Sequence, residues 1–112
     1  KLKIQLFHGG GHLPYQIGRL DRAYEMRPET SKKISRKPSE YLKMFYFDTI
    51  THSSDALNYL INLVGAEQVM MGSDYPFDMG YERPTELVDE SNLSETEKNK
   101  IKYDNAERLF QI

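Results

Sequence analysis

Three short apolar segments, each ending on polar or glycine residues and each followed by a helical stretch, restrict the fold of this chain more than anything else in it. Leu2, Ile4, Leu6 and Phe7 belong to the first segment, LKMFYFDT (42–49) is the second and QVMMGSD (68–74) the third. Runs of this length, bounded by turn residues and rich in β-branched or aromatic side chains, read as buried strands. After the first, Leu13, Ile17, Leu20 and Tyr24 recur at spacings of four, three and four, the apolar face of a helix that begins around Pro14 and ends near Arg27-Pro28. After the second, Ser53 or Ser54 caps a helix whose face is Leu57, Leu60, Ile61 and Val64, and Gly65 stops it. After the third comes an irregular stretch through about Pro84. A capping box, Ser94 with Glu97, then opens a last helix near 95–110 carrying Ile101, Leu109 and Phe110.

Helical crossovers between short buried strands imply parallel pairing and an α/β architecture. Three parallel strands do not close a barrel, yet strands of this kind are normally covered on both faces. The expectation is a single partial-barrel domain over 1–112, with strands near 2–8, 42–48 and 68–73. It would be either a piece of a larger (β/α) enzyme or a chain that completes itself by association. The start, KLKIQLF, enters a strand at once, as a chain cut from something longer would.

Charge and composition exclude several function classes. A net charge of −2 gives no electrostatic case for nucleic acid, and the absence of cysteine removes disulfides and thiolate-ligated zinc. No apolar run approaches the ~20 residues that cross a bilayer, and the opening residues lack a signal-peptide pattern. The expectation is a soluble cytoplasmic protein with neither a membrane nor a nucleic acid as partner. The basic stretch ETSKKISRKPSE (29–40) reads as a solvated loop or frayed helix end.

In a (β/α) barrel the chemistry sits at the carboxyl ends of the strands. Those ends carry His8, Asp48-Thr49 and Asp74. Imidazole and carboxylate are ordinary ligands of a catalytic zinc, and an imidazole beside such an ion can move a proton. Each has a plainer alternative: His8 as an exposed or structural histidine, Asp74 as a cap on turn N–H groups in Gly-Ser-Asp-Tyr-Pro. Asp48 is expected to hold the strand end by hydrogen bonds rather than touch metal. Gly9-Gly10-Gly11 fits neither a P-loop nor a dinucleotide motif, so the glycines are expected to allow a tight turn beside a bulky site. His12 and His52 lack ligand-pair spacing and are expected at the surface or behind the site.

The motifs FHGGGHLPYQIGRLDR, FYFDT, VGAEQVMMGSDYPF and LSETEKNKIKYDNAERLF, in this order over nearly the whole chain, resemble the C-terminal part of the amidohydrolase-related decarboxylases. That resemblance implies a metal-dependent (β/α)8 TIM barrel of which these residues supply about the sixth to eighth strands. It implies His8 as the acid/base beside the metal, Asp74 as a metal ligand and Arg19 as the holder of a substrate carboxylate across a homodimer interface. The implied cofactor is Zn2+ or another divalent metal in the complete protein, and the implied substrate an unsaturated or aromatic carboxylic acid. The H-x-H pair of the first strand and the histidine of the fifth are missing, so this chain alone is expected to be inactive. The same residues would serve a hydrolase cleaving a lactone, ester or amide. A non-catalytic half-barrel acting as an assembly module is the third alternative.

Overall fold

The computed structural model describes residues 2–112, which form an α/β structure around a three-stranded parallel sheet. The strands are β1 (Gln5–Leu6), β2 (Tyr46–Asp48) and β3 (Val69–Met70), in the spatial order β1-β2-β3. Leu6 pairs with Phe47 and Phe47 with Val69, so one row of side chains crosses the sheet. Phe47 and Val69 are fully buried beneath Leu57, Leu60, Ile61, Val64, Val88 and Ile101. Burying a side chain the size of Phe47 stabilises a fold by about 1.5–3 kcal/mol.

Helix α1 (Leu13–Met26) carries Pro14 in its first turn and ends at Arg27, where the backbone turns extended ahead of Pro28. Of its expected face, Ile17 is buried while Leu20 remains part-exposed. Two short helices follow, α2 (Pro28–Ser31) and α3 (Pro38–Leu42), each started by a proline at its first position. The basic stretch is thus largely surface, with Lys37 paired to Glu25 and the Ser39 N–H bonded to Asp21 on α1.

The second strand starts later than its apolar composition suggests. Leu42 closes α3, and the Met44 and Phe45 N–H groups bond back to the Tyr41 and Leu42 carbonyls before the chain extends at Tyr46. Leu42 is buried as a helical side chain, so its hydrophobicity serves packing without marking a strand. The first and third strands are likewise shorter than 2–8 and 68–73, because the chain turns once it leaves the ladder.

Helix α4 (Ser54–Val64) has the expected caps: the Ser53 hydroxyl accepts the Ala56 N–H, and Gly65, at φ 92°, ends it. Helices α5 (Thr85–Asp89), α6 (Glu95–Asn99) and α7 (Asn105–Phe110) complete the chain. Ser94 and Glu97 make the capping box in both directions. The last helix is not uniform. Lys100–Asp104 form a π-helical turn in which the Asn105 N–H reaches Lys100 O, and the Ile101 carbonyl accepts the Met71 N–H instead. The backbone that would have closed an ordinary α turn is used to fasten the end of β3. None of the described helices is long and apolar enough to cross a membrane.

Candidate active site

The central strand organises the rim at the carboxyl ends of the sheet. Asp48, buried at the end of β2, accepts N–H bonds from His8 (3.0 Å) and Gly9 (2.9 Å) of the loop after β1, and from Ile50 (3.0 Å) of its own loop. A buried carboxylate requires such donors, and three backbone N–H groups satisfy it without a metal. The hydrogen bonds expected of Asp48 at the strand end are present. Beside it, the Thr49 hydroxyl accepts the Gly72 N–H at 3.2 Å, joining the loop after β3.

These bonds force the first loop to turn sharply. His8, Gly9, Gly10 and Gly11 all have positive φ, between 55° and 81°. A Cβ on Gly9 would meet Thr51 Cγ2 at 2.7 Å, and one on Gly10 would meet the Phe47 ring at 2.8 Å. The glycines therefore permit close backbone approach beside Phe47 and Asp48.

His8 and Asp74 are brought together from different loops: His8 Nε2 lies 3.4 Å from Asp74 Oδ1. The His8 side chain is 63% exposed and that of Asp74 20%, so the imidazole is open to an incoming molecule and the carboxylate sheltered behind it. Both residues are non-glycine yet left-handed, at φ 55° and 61°. Such backbone costs on the order of 1–3 kcal/mol per residue and persists where the surroundings fix it, commonly at functional sites. The turn-cap alternative for Asp74 fails among the described residues: its carbonyl accepts the Phe77 N–H, while the Tyr75 N–H goes to Ser73 Oγ. The carboxylate is left facing His8.

A cavity of about 440 Å3 opens beside this pair, lined by Phe7, Ile50, Tyr75 and Phe77 together with His8, Asp48 and Asp74. A second hollow of about 510 Å3 lies on the other side of His8, between the starts of α1 and α4. Arg19 lines neither; it is exposed on α1, away from the pair. His12 precedes α1 at the surface, and the His52 ring stacks on Tyr81 at 4.3 Å between centroids. Burial pushes the Tyr81 phenol up, with the His52 backbone N–H acting in the opposite direction.

A divalent ion held by protein side chains needs about three donors or more. Among the described residues no group of three His, Cys, Asp or Glu side chains is placed to hold one. Asp74 and His8 have suitable chemistry but are two, so these residues do not by themselves fit a metal.

Asn105 carries a role that its place in a helical run conceals. Fully buried, its Nδ2 donates to Ala66 O (2.7 Å) and Val69 O (2.8 Å), pinning α7 across β3. Arg108 adds a bond to Glu67 O, and Lys100 pairs with the Glu67 carboxylate at 2.6 Å. The available signal was an asparagine inside a helix, where it is a poor helix former unless its amide has work elsewhere.

A short parallel sheet with helical connections, and with an imidazole and a carboxylate collected at its strand ends, places the chain in the α/β class. A family model described as amidohydrolase matches residues 1–112, and the chain belongs to that family. It is 36% identical over 107 residues to a 2-amino-3-carboxymuconate-6-semialdehyde decarboxylase of Dictyostelium discoideum, covering 94% of this chain and 30% of that protein. The enzyme of the same name from Caenorhabditis elegans is 32% identical, with 100% and 28% covered. Among solved structures, 5-carboxyvanillate decarboxylase from Sphingomonas paucimobilis superposes with a TM-score of 0.87 at 33% identity, over 99% of this chain and 34% of that one. A dihydroxybenzoic acid decarboxylase from Polaromonas, solved with manganese and 2-nitroresorcinol, gives 0.84 at 28% identity, with 98% and 34% covered. The chain spans about a third of the length of these relatives. They are decarboxylases of carboxylic acids with a TIM-barrel fold, about a third of which the three-stranded α/β structure matches.

Proposed function

We propose that this chain supplies the last three strands of a metal-dependent (β/α)8 barrel that decarboxylates an aromatic or unsaturated carboxylic acid without oxidation. The observation that carries the reading is the His8–Asp74 pair, an imidazole and a carboxylate from separate strand ends, 3.4 Å apart at the mouth of an aromatic-walled cavity. The names of the relatives support decarboxylation over hydrolysis.

Asp74 would supply one ligand to a divalent ion, whose remaining donors would have to come from outside these residues. Zinc is the expectation from the sequence, and manganese is the ion in the Polaromonas structure. When bound, such an ion supplies electrostatic stabilisation of developing negative charge. His8 Nε2 carries the proton that takes the place of CO2 at the substrate carbon. That task suits an imidazole that is open to the cavity. Arg19 holds the substrate carboxylate through a two-pronged charged hydrogen bond, reaching the site of a second copy in a homodimer.

The test is made in the longer protein, with labelled CO2 release measured beside hydrolytic product. His8→Ala is expected to cut decarboxylation by about 10^3-fold with metal content unchanged. Arg19→Ala is expected to raise KM roughly tenfold with metal again retained. Full turnover in the His8 variant removes its proton role, and hydrolytic product in place of CO2 overturns the reaction class.

A further inference from the structure

The loop that carries Asp74 has two feet, and both stand on the loop after β2. Residues 73–81 fold back through successive turns: the Phe77 N–H bonds Asp74 O at 2.9 Å, Gly80 bonds Phe77 O at 3.0 Å, and Tyr81 bonds Ser73 O at 2.7 Å. The last bond closes the loop, and Gly80 makes the closure possible, since a Cβ there would lie 2.6 Å from Ser73 O. One foot is Gly72, whose N–H is held by the Thr49 hydroxyl. The other is Tyr81, whose ring lies on the His52 imidazole at 4.3 Å and 23°.

His52 reaches that position with its backbone at φ 52°, a conformation that a side chain other than glycine adopts at a cost. Within the described residues the ring stack is what this conformation produces. The buried Tyr81 hydroxyl makes no hydrogen bond of full geometry, and its polar neighbour is the His52 backbone N–H. The ring faces supply the closest-packed part of the contact, the geometry in which aromatic groups attract.

We infer that the His52–Tyr81 stack is a latch that sets the position of the Asp74-bearing loop, making these two positioning residues for the site. Between the feet lie Asp74 itself and the cavity walls Tyr75 and Phe77. Releasing the latch frees one end of the loop while the Thr49 bond keeps the other. The value of fixing Asp74 rests on the function proposed above, whereas the latch itself is a property of the loop that can be measured without any reaction.

The experiment is residue-resolved hydrogen exchange on the purified protein, comparing wild type with His52→Ala, Tyr81→Ala and Tyr81→Phe. His52 is exposed, so its replacement removes little burial and leaves a folded protein to measure. The latch requires exchange of the Phe77, Gly80 and Tyr81 amides to rise about tenfold in both alanine variants. That is the equivalent of about 1.4 kcal/mol and lies at the scale of an aromatic pair. The α4 amides keep their rate, and Tyr81→Phe, which keeps the ring on His52, stays closer to wild-type exchange than Tyr81→Ala. Unchanged loop exchange in His52→Ala overturns the latch, as does a Tyr81→Phe variant that opens as far as Tyr81→Ala. In the longer protein the His52→Ala variant is expected to lose kcat about tenfold with KM within twofold, and unchanged kcat overturns the positioning role. Failure of the functional reading shows separately, as a metal content that Asp74→Ala leaves untouched.

Discussion

The two ends of the same three strands are built on opposite principles. At the carboxyl ends the backbone is left-handed at His8, His52 and Asp74, glycines admit close approach, and the imidazole faces solvent. Toward the C-terminal helices the sheet is held by side chains on relaxed backbone: Asn105 on Ala66 and Val69, Arg108 on Glu67 O, and Lys3 on Leu109 O. One region holds a costly geometry and the other supplies the rigidity that lets it persist. This division matches the separation of chemistry and stability between the two faces of α/β barrels.

The largest expected effects on stability come from breaking each side directly. Asn105→Ala removes the Asn105 donor from the buried Val69 carbonyl and leaves Ala66 O with the Val69 N–H, at about 1–3 kcal/mol for the unsatisfied group. The loss is expected as a lower urea midpoint with the m-value unchanged. A variant as stable as wild type would show that α7 is held by packing alone. At the other end, Gly10→Ala combines a positive φ with a clash on the Phe47 ring. It is expected to cost about 2–4 kcal/mol, and Gly11→Ala, with open space around its Cβ position but φ 60° and ψ −130°, about 1–3 kcal/mol from the backbone alone. Equal losses at the two glycines would place the whole cost in the dihedral and none in packing.

Asp48→Asn sharpens the contrast further. The amide retains one acceptor oxygen where the carboxylate has two, so either the His8 N–H on Oδ2 or the Gly9 and Ile50 N–H groups on Oδ1 lose their partner, at about 1–3 kcal/mol for each group. The resonances of His8 to Gly11 should shift in the NMR spectrum while those of α7 stay in place. Shifts confined to α7 would break the link between the central strand and the first loop.

The smallest effect is acid sensitivity on the stapled side. Bonding from Lys100 holds Glu67 below its ordinary 4.5, and the Ser94 N–H does the same for Glu97. Groups with depressed values add stability above their unfolded pKa and lose it as pH falls through the folded one. Unfolding midpoints should therefore hold from neutrality to about pH 5 and decline below about 4.5. Lys100→Met should flatten that decline. Both carboxylates are largely exposed, so the change is small.

Much of this architecture is legible in local patterns. The Ser53 and Ser94–Glu97 caps, the Gly65 stop and the extent of α1 follow from neighbouring residues, because capping is decided within one turn of helix. The role of Asp48 followed from a carboxylate at a strand end. Other features depend on residues outside the motif that suggests them. Leu42 looks like a strand residue until Pro38 is seen to start a helix that buries it. Asn105 makes sense only beside Ala66 and Val69, and His52 only beneath Tyr81. The His8–Asp74 pair lay between these cases: both residues were visible at strand ends, but their separation depends on how two loops turn.

The π turn at Lys100–Asp104 limits how this chain can change in length. Its single widened turn sets the angular phase between α6 and α7, since each residue of a helix advances the face by about 100°. Deleting one residue there would give a smoother helix and swing Asn105 and Leu109 off β3 by that angle, while Ser94 stayed at its cap. Insertions and deletions are thus confined to the loops, and the C-terminal helical run can vary in composition but not in count.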